Sequence, residues 1–218
     1  MSAETLAASS NPTKNVFLSS RLGSALAVAP LGVWTVNHVW DNLAAFQGAQ
    51  AWQRSVTEHP HPIAHALTLV FVLGPLVLHT VWGIKRLGSM RPNNVRYGFF
   101  ANFRYLLQRL SAVGVMFFLG AHIWLAMLRP RLVLGHAEAF ADISHEMHYH
   151  MPTLIVYLLG TLGVAYHLAN GLGTFAMGWG LAASRKSLRL VERLSIAFFV
   201  VLAAMAWLAI YAIWYAGA

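Results

Sequence analysis

The chain has 218 residues, of which 58% are hydrophobic and only 10% are charged. A soluble domain is about 45–50% apolar and about 25% charged, so this composition argues against a soluble globular protein. The absence of cysteine excludes disulfides, iron–sulfur ligation and covalent haem attachment within the chain. The formal net charge is +8, but the charges stand in short clusters between long apolar runs, which indicates a membrane protein rather than a nucleic-acid binder.

Five apolar runs are long enough to cross a bilayer, which takes about 20 mainly apolar residues. They cover residues 22–46, 63–84, 106–128, 153–181 and 194–215. The first run is too long for a signal peptide, and too many polar or small residues precede it. The pattern predicts an all-α integral membrane protein with five transmembrane helices. We expect a single domain over residues 16–218, preceded by an N-terminal tail over residues 1–15.

The basic residues are distributed unevenly between the two sides of these runs. Twelve of the fifteen Lys and Arg residues lie before the first run, between the second and third or in the first residues of the third, or between the fourth and fifth. The positive-inside rule assigns such segments to the cytoplasm. The N-terminus is therefore predicted to be cytoplasmic, in an inner (cytoplasmic) membrane that the chain crosses several times.

Four histidines lie deep inside the apolar runs, one in each of the first four: His38, His79, His122 and His167. Polar groups inside a membrane span are costly, so they are functional candidates. A single histidine would be explained by a hydrogen bond to a neighbouring helix. Four of them, one per helix and without carboxylates at the same depth, are more typical of cofactor ligands than of polar contacts or a proton path.

Distances along each helix from the cytoplasmic end sort the four histidines into two levels. At a rise of about 1.5 Å per residue, His38 lies about 21 Å deep, His122 about 23 Å, His79 about 10 Å and His167 about 16–20 Å. His38 and His122 share an outer level, and His79 and His167 form an inner pair by elimination. Two imidazoles on facing helices can bind one haem iron from both sides, which suits electron transfer. We predict two haem b groups in a four-helix haem-binding core, with a fifth helix beside it.

The sequence around each deep histidine resembles a helix motif of the five-helix, dihaem cytochrome b membrane anchors of succinate dehydrogenases and fumarate reductases. The first-helix motif is similar to HVWDNLAAFQG, which begins at His38. The second and third are similar to LHTVWGIKRL around His79 and FFLGAHIWLAML around His122. The fourth is similar to YHLANGLGTFAMGWG, which contains His167. The resemblance covers residues 20–216.

The resemblance implies the membrane subunit of a succinate:quinone oxidoreductase or of a quinol:fumarate reductase. It assigns His38 and His122 to a distal haem, and His79 and His167 to a proximal haem. It also implies an iron–sulfur subunit and an FAD flavoprotein as partners on the cytoplasmic side, and menaquinone or ubiquinone as substrate in the membrane lipid. With no cysteine and no nucleotide fingerprint, this chain alone would not oxidise succinate.

Two other functions stay open at the level of sequence. The cytochrome b subunit of another quinone-linked dehydrogenase or a hydrogenase would also carry haem, but such subunits usually place more than one histidine on a helix. A cofactor-free transporter or membrane anchor would be favoured by broken helices and charges at the midplane, and neither is evident.

Charged residues near the ends of the runs have more than one interpretation. Lys85 and Arg86 follow His79 by one to two turns and are candidate partners of a haem propionate, as is Asn170 near His167. The loop arginines could dock a partner, bind a haem propionate or simply determine topology; they are Arg86, Arg91, Arg96, Arg104 and Arg109. The outer segments are rich in titratable groups, any of which could serve a quinone site or only be solvated: Asp41, Glu58, His59, His61, His65, His136, His145, Glu146, His148 and His150.

Overall fold

The computed structural model describes residues 21–58, 62–89, 91 and 96–218. Five helices in these ranges are long and apolar enough to cross a membrane, which confirms the predicted number. We call them the first to fifth spans: Arg21–Gln47, Ala66–Gly88, Phe100–Leu134, Met151–Gly178 and Arg185–Ala216. The predicted tail at residues 1–15 lies outside the described residues. The single domain and the cytoplasmic N-terminus stay predictions.

The third and fifth spans are longer than the apolar runs that predict them. The fifth begins at Arg185 rather than at residue 194, because Ser184 caps it. The Ser184 hydroxyl accepts the backbone N–H of Ser187, and the Ser187 side chain accepts the backbone N–H of Ser184, which is a reciprocal capping box. Basic residues assigned to a loop by sequence, such as Arg189, therefore lie in the first turns of this helix.

Proline opens widened, π-helical turns in several spans. Pro30 lies inside one such turn, Ala27–Gly32, and a second, Leu69–Leu73, comes just before Pro75. Proline has no backbone N–H to donate, so the regular helical hydrogen bonding is interrupted beside it. His38 and His79 both lie within about two turns after the end of their widened segment.

Two short helices connect spans at the same end of the bundle. The first covers residues 49–57, and the second is Phe140–Tyr149. The Gln53 side chain joins them, because its amide donates to the carbonyl of Glu138 at 3.0 Å and accepts the N–H of Phe140 at 3.0 Å. We call this the connecting-helix end of the bundle. The opposite end, where most arginines and lysines gather, is the basic end.

The fifth span packs along the fourth and also contacts the first. Small side chains such as Ala206, Ala209 and Ala212 are buried at these contacts, and they let membrane helices approach closely. Apolar side chains elsewhere point outward, as expected where lipid surrounds the protein. The first four spans enclose a cavity toward the basic end, and the candidate site lies in this cavity.

Candidate functional site

A cavity of about 650 Å³ lies between the first four spans. Among the described residues, its lining includes side chains from each of these spans and none from the fifth. Cavities that hold cofactors or drug-sized ligands are about 300–1,000 Å³. His79 and His167 both line it. The space is therefore large enough for a cofactor, and it is bordered by two of the four predicted ligands.

His79 and His167 lie side by side, with ring centroids 6.3 Å apart and ring planes at 71°. The Nδ1 atom of His79 is 3.0 Å from the carbonyl oxygen of Gly23, which can only accept a hydrogen bond. Nδ1 therefore carries the proton, and Nε2 keeps a free lone pair. Glycine at position 23 allows the first span to come this close to the second. Its α-carbon lies against the indole of Trp82, and a Cβ there would collide with the ring.

His167 is oriented by two residues of the third span. Its Nδ1 is 3.2 Å from the hydroxyl of Ser111, which donates its own proton to the carbonyl of Gln108 at 3.1 Å. The Ser111 oxygen can therefore accept the Nδ1–H of His167, whereas the amide of Gln108, also 3.2 Å from this Nδ1, can only donate to it. The same amide donates to the backbone carbonyl of His167 at 3.2 Å. In the tautomer that is bonded to Ser111, the Nε2 of His167 is available to bind a metal.

His38 and His122 form the second pair, with ring centroids 5.8 Å apart and ring planes at 66°. The Nδ1 of His122 is 3.1 Å from the hydroxyl of Tyr157 on the fourth span. Trp34 stacks on His38 at 4.6 Å, and Phe118 stacks on His122 at 5.7 Å. These are the two pairs that the depths along the helices predict. Their role as haem ligands is not tested by this geometry and stays a prediction.

The spacing within each pair suits one metal ion held between two imidazoles. A metal–imidazole bond is about 2.0–2.1 Å, so two rings that bind one ion from opposite sides have centroids about 6.4 Å apart. A bare metal ion would need more ligands from the protein. No group of three or more His, Cys, Asp or Glu able to hold a metal is found among the residues described. Each pair thus supplies two imidazole ligands.

The predicted propionate partners separate into lining and non-lining residues. Arg86 lines the cavity and stacks over the indole of Trp82 at 5.4 Å, whereas Lys85 is exposed and lies outside the lining. Arg109 also lines the cavity, and its Nε is buried with no hydrogen-bond partner in the structure. A buried donor of this kind is costly unless a ligand accepts from it. Arg109 is thus a better candidate than Lys85, and sequence alone did not distinguish them.

Arg104 and Asn170 also line the cavity, but they bind each other. The Nη2 of Arg104 donates to the Oδ1 of Asn170 at 2.7 Å, and its Nη1 pairs with Glu192 of the fifth span at 3.1 Å. The amide of Asn170 donates to Gln108 at 2.7 Å. Neither residue is therefore a free propionate partner.

The glycines of the spans serve two different purposes. Gly83 lines the cavity, and a Cβ added there would meet no atom within 4 Å, so it leaves room for a ligand. Gly160, in contrast, accommodates the ring of Phe118, which stacks on His122. Glycine therefore provides surface for a ligand at one position and close helix packing at the other.

Several titratable residues of the connecting-helix end gather around Glu138. No pattern in the sequence singles out Glu138 as a site residue. Glu138, Asp142 and Glu146 border a cavity of about 10 Å³ together with Arg129, enough for about one water molecule. Burial raises the pKa of Glu138 to about 8, with Asp142 adding to the rise and Arg131 opposing it. Glu138 is therefore mostly protonated at neutral pH.

Other predicted outer residues are more dispersed. Glu58 is exposed at the end of the first connecting helix. His145 is exposed beside Tyr149, and His148 is 3.0 Å from the carbonyl of Trp214. His59, His61 and the side chain of His65 lie outside the described residues.

Comparison with known proteins agrees with this architecture. No family model matches the chain. The chain is 27% identical over 197 residues to the succinate dehydrogenase cytochrome b558 subunit of Bacillus subtilis, and the match covers 90% of this chain and 96% of that protein. The similarity thus extends over all five spans.

Proposed function

We propose that this chain, a homologue of the succinate dehydrogenase cytochrome b558 subunit of Bacillus subtilis, is the membrane anchor of a succinate:quinone oxidoreductase or a quinol:fumarate reductase. It carries electrons through two haem b groups, between an iron–sulfur partner and a membrane quinone. The observation that carries the proposal is that the four histidines form two pairs between the first four spans, with the two imidazole rings of each pair side by side.

His38 and His122 hold the outer haem, and His79 and His167 hold the inner haem. A carbonyl, a serine hydroxyl and a tyrosine hydroxyl lie at the Nδ1 atoms of three of these four rings, and each can accept an Nδ1–H, which would leave Nε2 to bind the metal. Each pair of histidines would hold one haem iron, which would leave no site for oxygen and would suit electron transfer. When bound, the haem supplies one-electron chemistry at that iron.

The cavity suits the inner haem in size and in the chemistry of its lining. Gly83 leaves space at its wall, and the unpartnered Nε of Arg109 would donate to a propionate. Arg86 supplies a second cation. The apolar side chains of the four spans exclude water from the pair. The chain thus binds and orients the group and keeps its surroundings dry.

The basic end faces the cytoplasm and contacts the iron–sulfur subunit, which in turn binds an FAD flavoprotein. Positive residues on an exposed surface favour a cytoplasmic position, and they are available for docking; those in the first turns of the fifth span are Arg185, Lys186, Arg189 and Arg193. Electrons cross between this end and quinone, either menaquinone or ubiquinone, in the membrane lipid. The chain contains no cysteine, so the iron–sulfur clusters belong to the partner.

Haem quantitation on the purified complex tests the proposal. We expect two haem b per chain in reduced-minus-oxidised visible spectra, together with a co-purifying flavoprotein. His79→Ala or His167→Ala should remove one haem, and His38→Ala or His122→Ala the other. His145→Ala, which alters an exposed histidine outside the spans, should keep both. Absence of b-type bands, or both haems at full occupancy in the deep-histidine variants, would refute the ligand assignment.

A further inference from the structure

A continuous chain of polar contacts joins the fifth span to the inner histidine pair. Glu192 of the fifth span pairs with the Nη1 of Arg104 of the third span at 3.1 Å. Arg104 donates from Nε and Nη2 to the Oδ1 of Asn170 on the fourth span, at 3.1 and 2.7 Å. The third, fourth and fifth spans thus meet at the guanidinium of Arg104, and the fifth of these spans contributes no deep histidine.

The chain continues from Asn170 to the backbone of His167. Asn170 is buried, and its amide donates to the Oε1 of Gln108 at 2.7 Å. Gln108 in turn donates to the carbonyl of His167 at 3.2 Å. Gly173 lies beside the guanidinium, since a Cβ there would make ordinary van der Waals contact with the Nη2 of Arg104 at 3.7 Å. The guanidinium is therefore held in place from several sides.

Among the described residues, the charged side chains that line the cavity are all positive. Four arginines line it, and none of the described residues that line it is acidic; the four are Arg21, Arg86, Arg104 and Arg109. Glu192 does not line the cavity, and its carboxylate compensates the positive charge of Arg104 from outside the cavity. The side chains of Arg104 and Glu192 are 27% and 41% exposed, so water screens their charges in part, but a unit charge here still acts over several ångströms more strongly than in bulk water. Removing one member of the pair would therefore change the potential inside the cavity.

We propose that the Arg104–Glu192 pair sets the reduction potential of the inner haem, so that the fifth span controls electron flow although it supplies no ligand. The inference depends on the proposed function, because it presupposes a haem between His79 and His167. An unpaired Arg104 cation favours the state that has gained an electron, and an unpaired Glu192 carboxylate disfavours it. Both are positioning residues, since they act on the site by charge and through Asn170.

Potentiometric titration of the purified complex, followed by the visible bands of each haem, tests the inference. We expect Glu192→Gln to raise the equilibrium constant for reducing the inner haem several-fold, and Arg104→Gln to lower it. A tenfold change corresponds to about 59 mV for a one-electron couple. The double variant should return close to the parent value. Arg104→Lys and Glu192→Asp keep both charges and should stay near it. Glu146→Gln removes the acid of the Arg129–Glu146 pair at the connecting-helix end, and it should leave the inner haem unchanged.

The outcomes separate this inference from the proposed function. A complex without haem would refute the proposed function itself. Normal haem content with unchanged potentials in the single variants would overturn only the inference. Shifts of equal sign in the two single variants, or equally large shifts in the charge-conserving variants, would also overturn it, because they would show that altered packing rather than charge is responsible.

Discussion

The hydroxyl of Tyr157 should determine how tightly the outer histidine pair holds its haem. Tyr157→Phe removes the oxygen 3.1 Å from the Nδ1 of His122 and keeps the ring, which packs edge-on against Phe118 at 5.5 Å. The side chain is buried, so no bulk water replaces the lost oxygen. The substitution therefore changes one hydrogen bond and little of the packing.

The expected loss follows from leaving the Nδ1–H of His122 without an acceptor. An unsatisfied buried polar group costs about 1–3 kcal/mol, and such a free energy corresponds to about 5- to 150-fold in an equilibrium constant. Removing the hydrogen-bond partner of a metal-binding histidine typically lowers metal affinity about 10- to 100-fold. Both ranges agree, so we expect the outer haem to bind 10- to 100-fold more weakly, by these principles.

Transfer of haem from the purified complex to an excess of apomyoglobin measures this loss, with each haem followed by its visible band. Tyr211→Phe is the matched control, since it removes the hydroxyl of an exposed tyrosine at the same end of the bundle. The reasoning would be refuted if Tyr157→Phe released the outer haem no faster than the control, or if it released the inner haem instead.

Three further substitutions test other parts of the structure. Ser111→Ala removes the acceptor at the Nδ1 of His167 and should weaken only the inner haem, by about tenfold, in the same transfer assay. Gly160→Ala forces a Cβ into a phenyl ring and should cost about 1–3 kcal/mol, seen as a shorter half-life in detergent; Gly178→Ala, where a Cβ meets nothing within 4 Å, is its control. Glu138→Gln should leave stability unchanged near pH 5 and increase it, relative to the parent, as the pH rises to 9.

The direction of the Glu138 effect follows from its pKa. In the folded protein the pKa is about 8, above the ordinary 4.5, so the folded state binds the proton more tightly than the unfolded state. The stability associated with this proton is present below pH 4.5 and is lost as the pH rises through 8. Glutamine has no such proton to lose. A parent protein whose half-life in detergent does not change relative to the variant between pH 5 and 9 would contradict this.

Residues close to the deep histidines show what could be predicted and what could not. His79 was identified because an imidazole inside an apolar run is costly, and this holds whatever the neighbouring helices do. The carbonyl of Gly23 at its Nδ1 could not be identified, because that contact depends on how the first span is rotated against the second. Tyr157 was missed for the same reason: its hydroxyl reaches His122 only through the packing of the third and fourth spans.

Charged residues likewise separate into features that the sequence predicts and features that depend on how the helices pack. Arg104 reads in the sequence as a docking or propionate-binding group, because any arginine near a helix end fits either role. In the structure it pairs with Glu192 and Asn170, which lie far from it along the chain. The second connecting helix, Phe140–Tyr149, was expected only as an outer segment, and its carboxylates gather with Glu138 once it folds against the fourth and fifth spans, beside the end of the third.

The amino-acid sequence by itself determined the number of spans, their approximate limits and the two levels of histidines. These depend on distance along single helices, and the bilayer thickness and the helical rise set that distance. Only the tertiary structure decided how the paired rings are oriented, which groups hold them and that the buried Nε of Arg109 is left without a hydrogen bond. Those features depend on the rotation and contact of neighbouring helices, for which a one-dimensional pattern carries no information. The size of the cavity between the first four spans belongs to this second class, whereas a fifth span outside that core is what the absence of a deep histidine from it predicts.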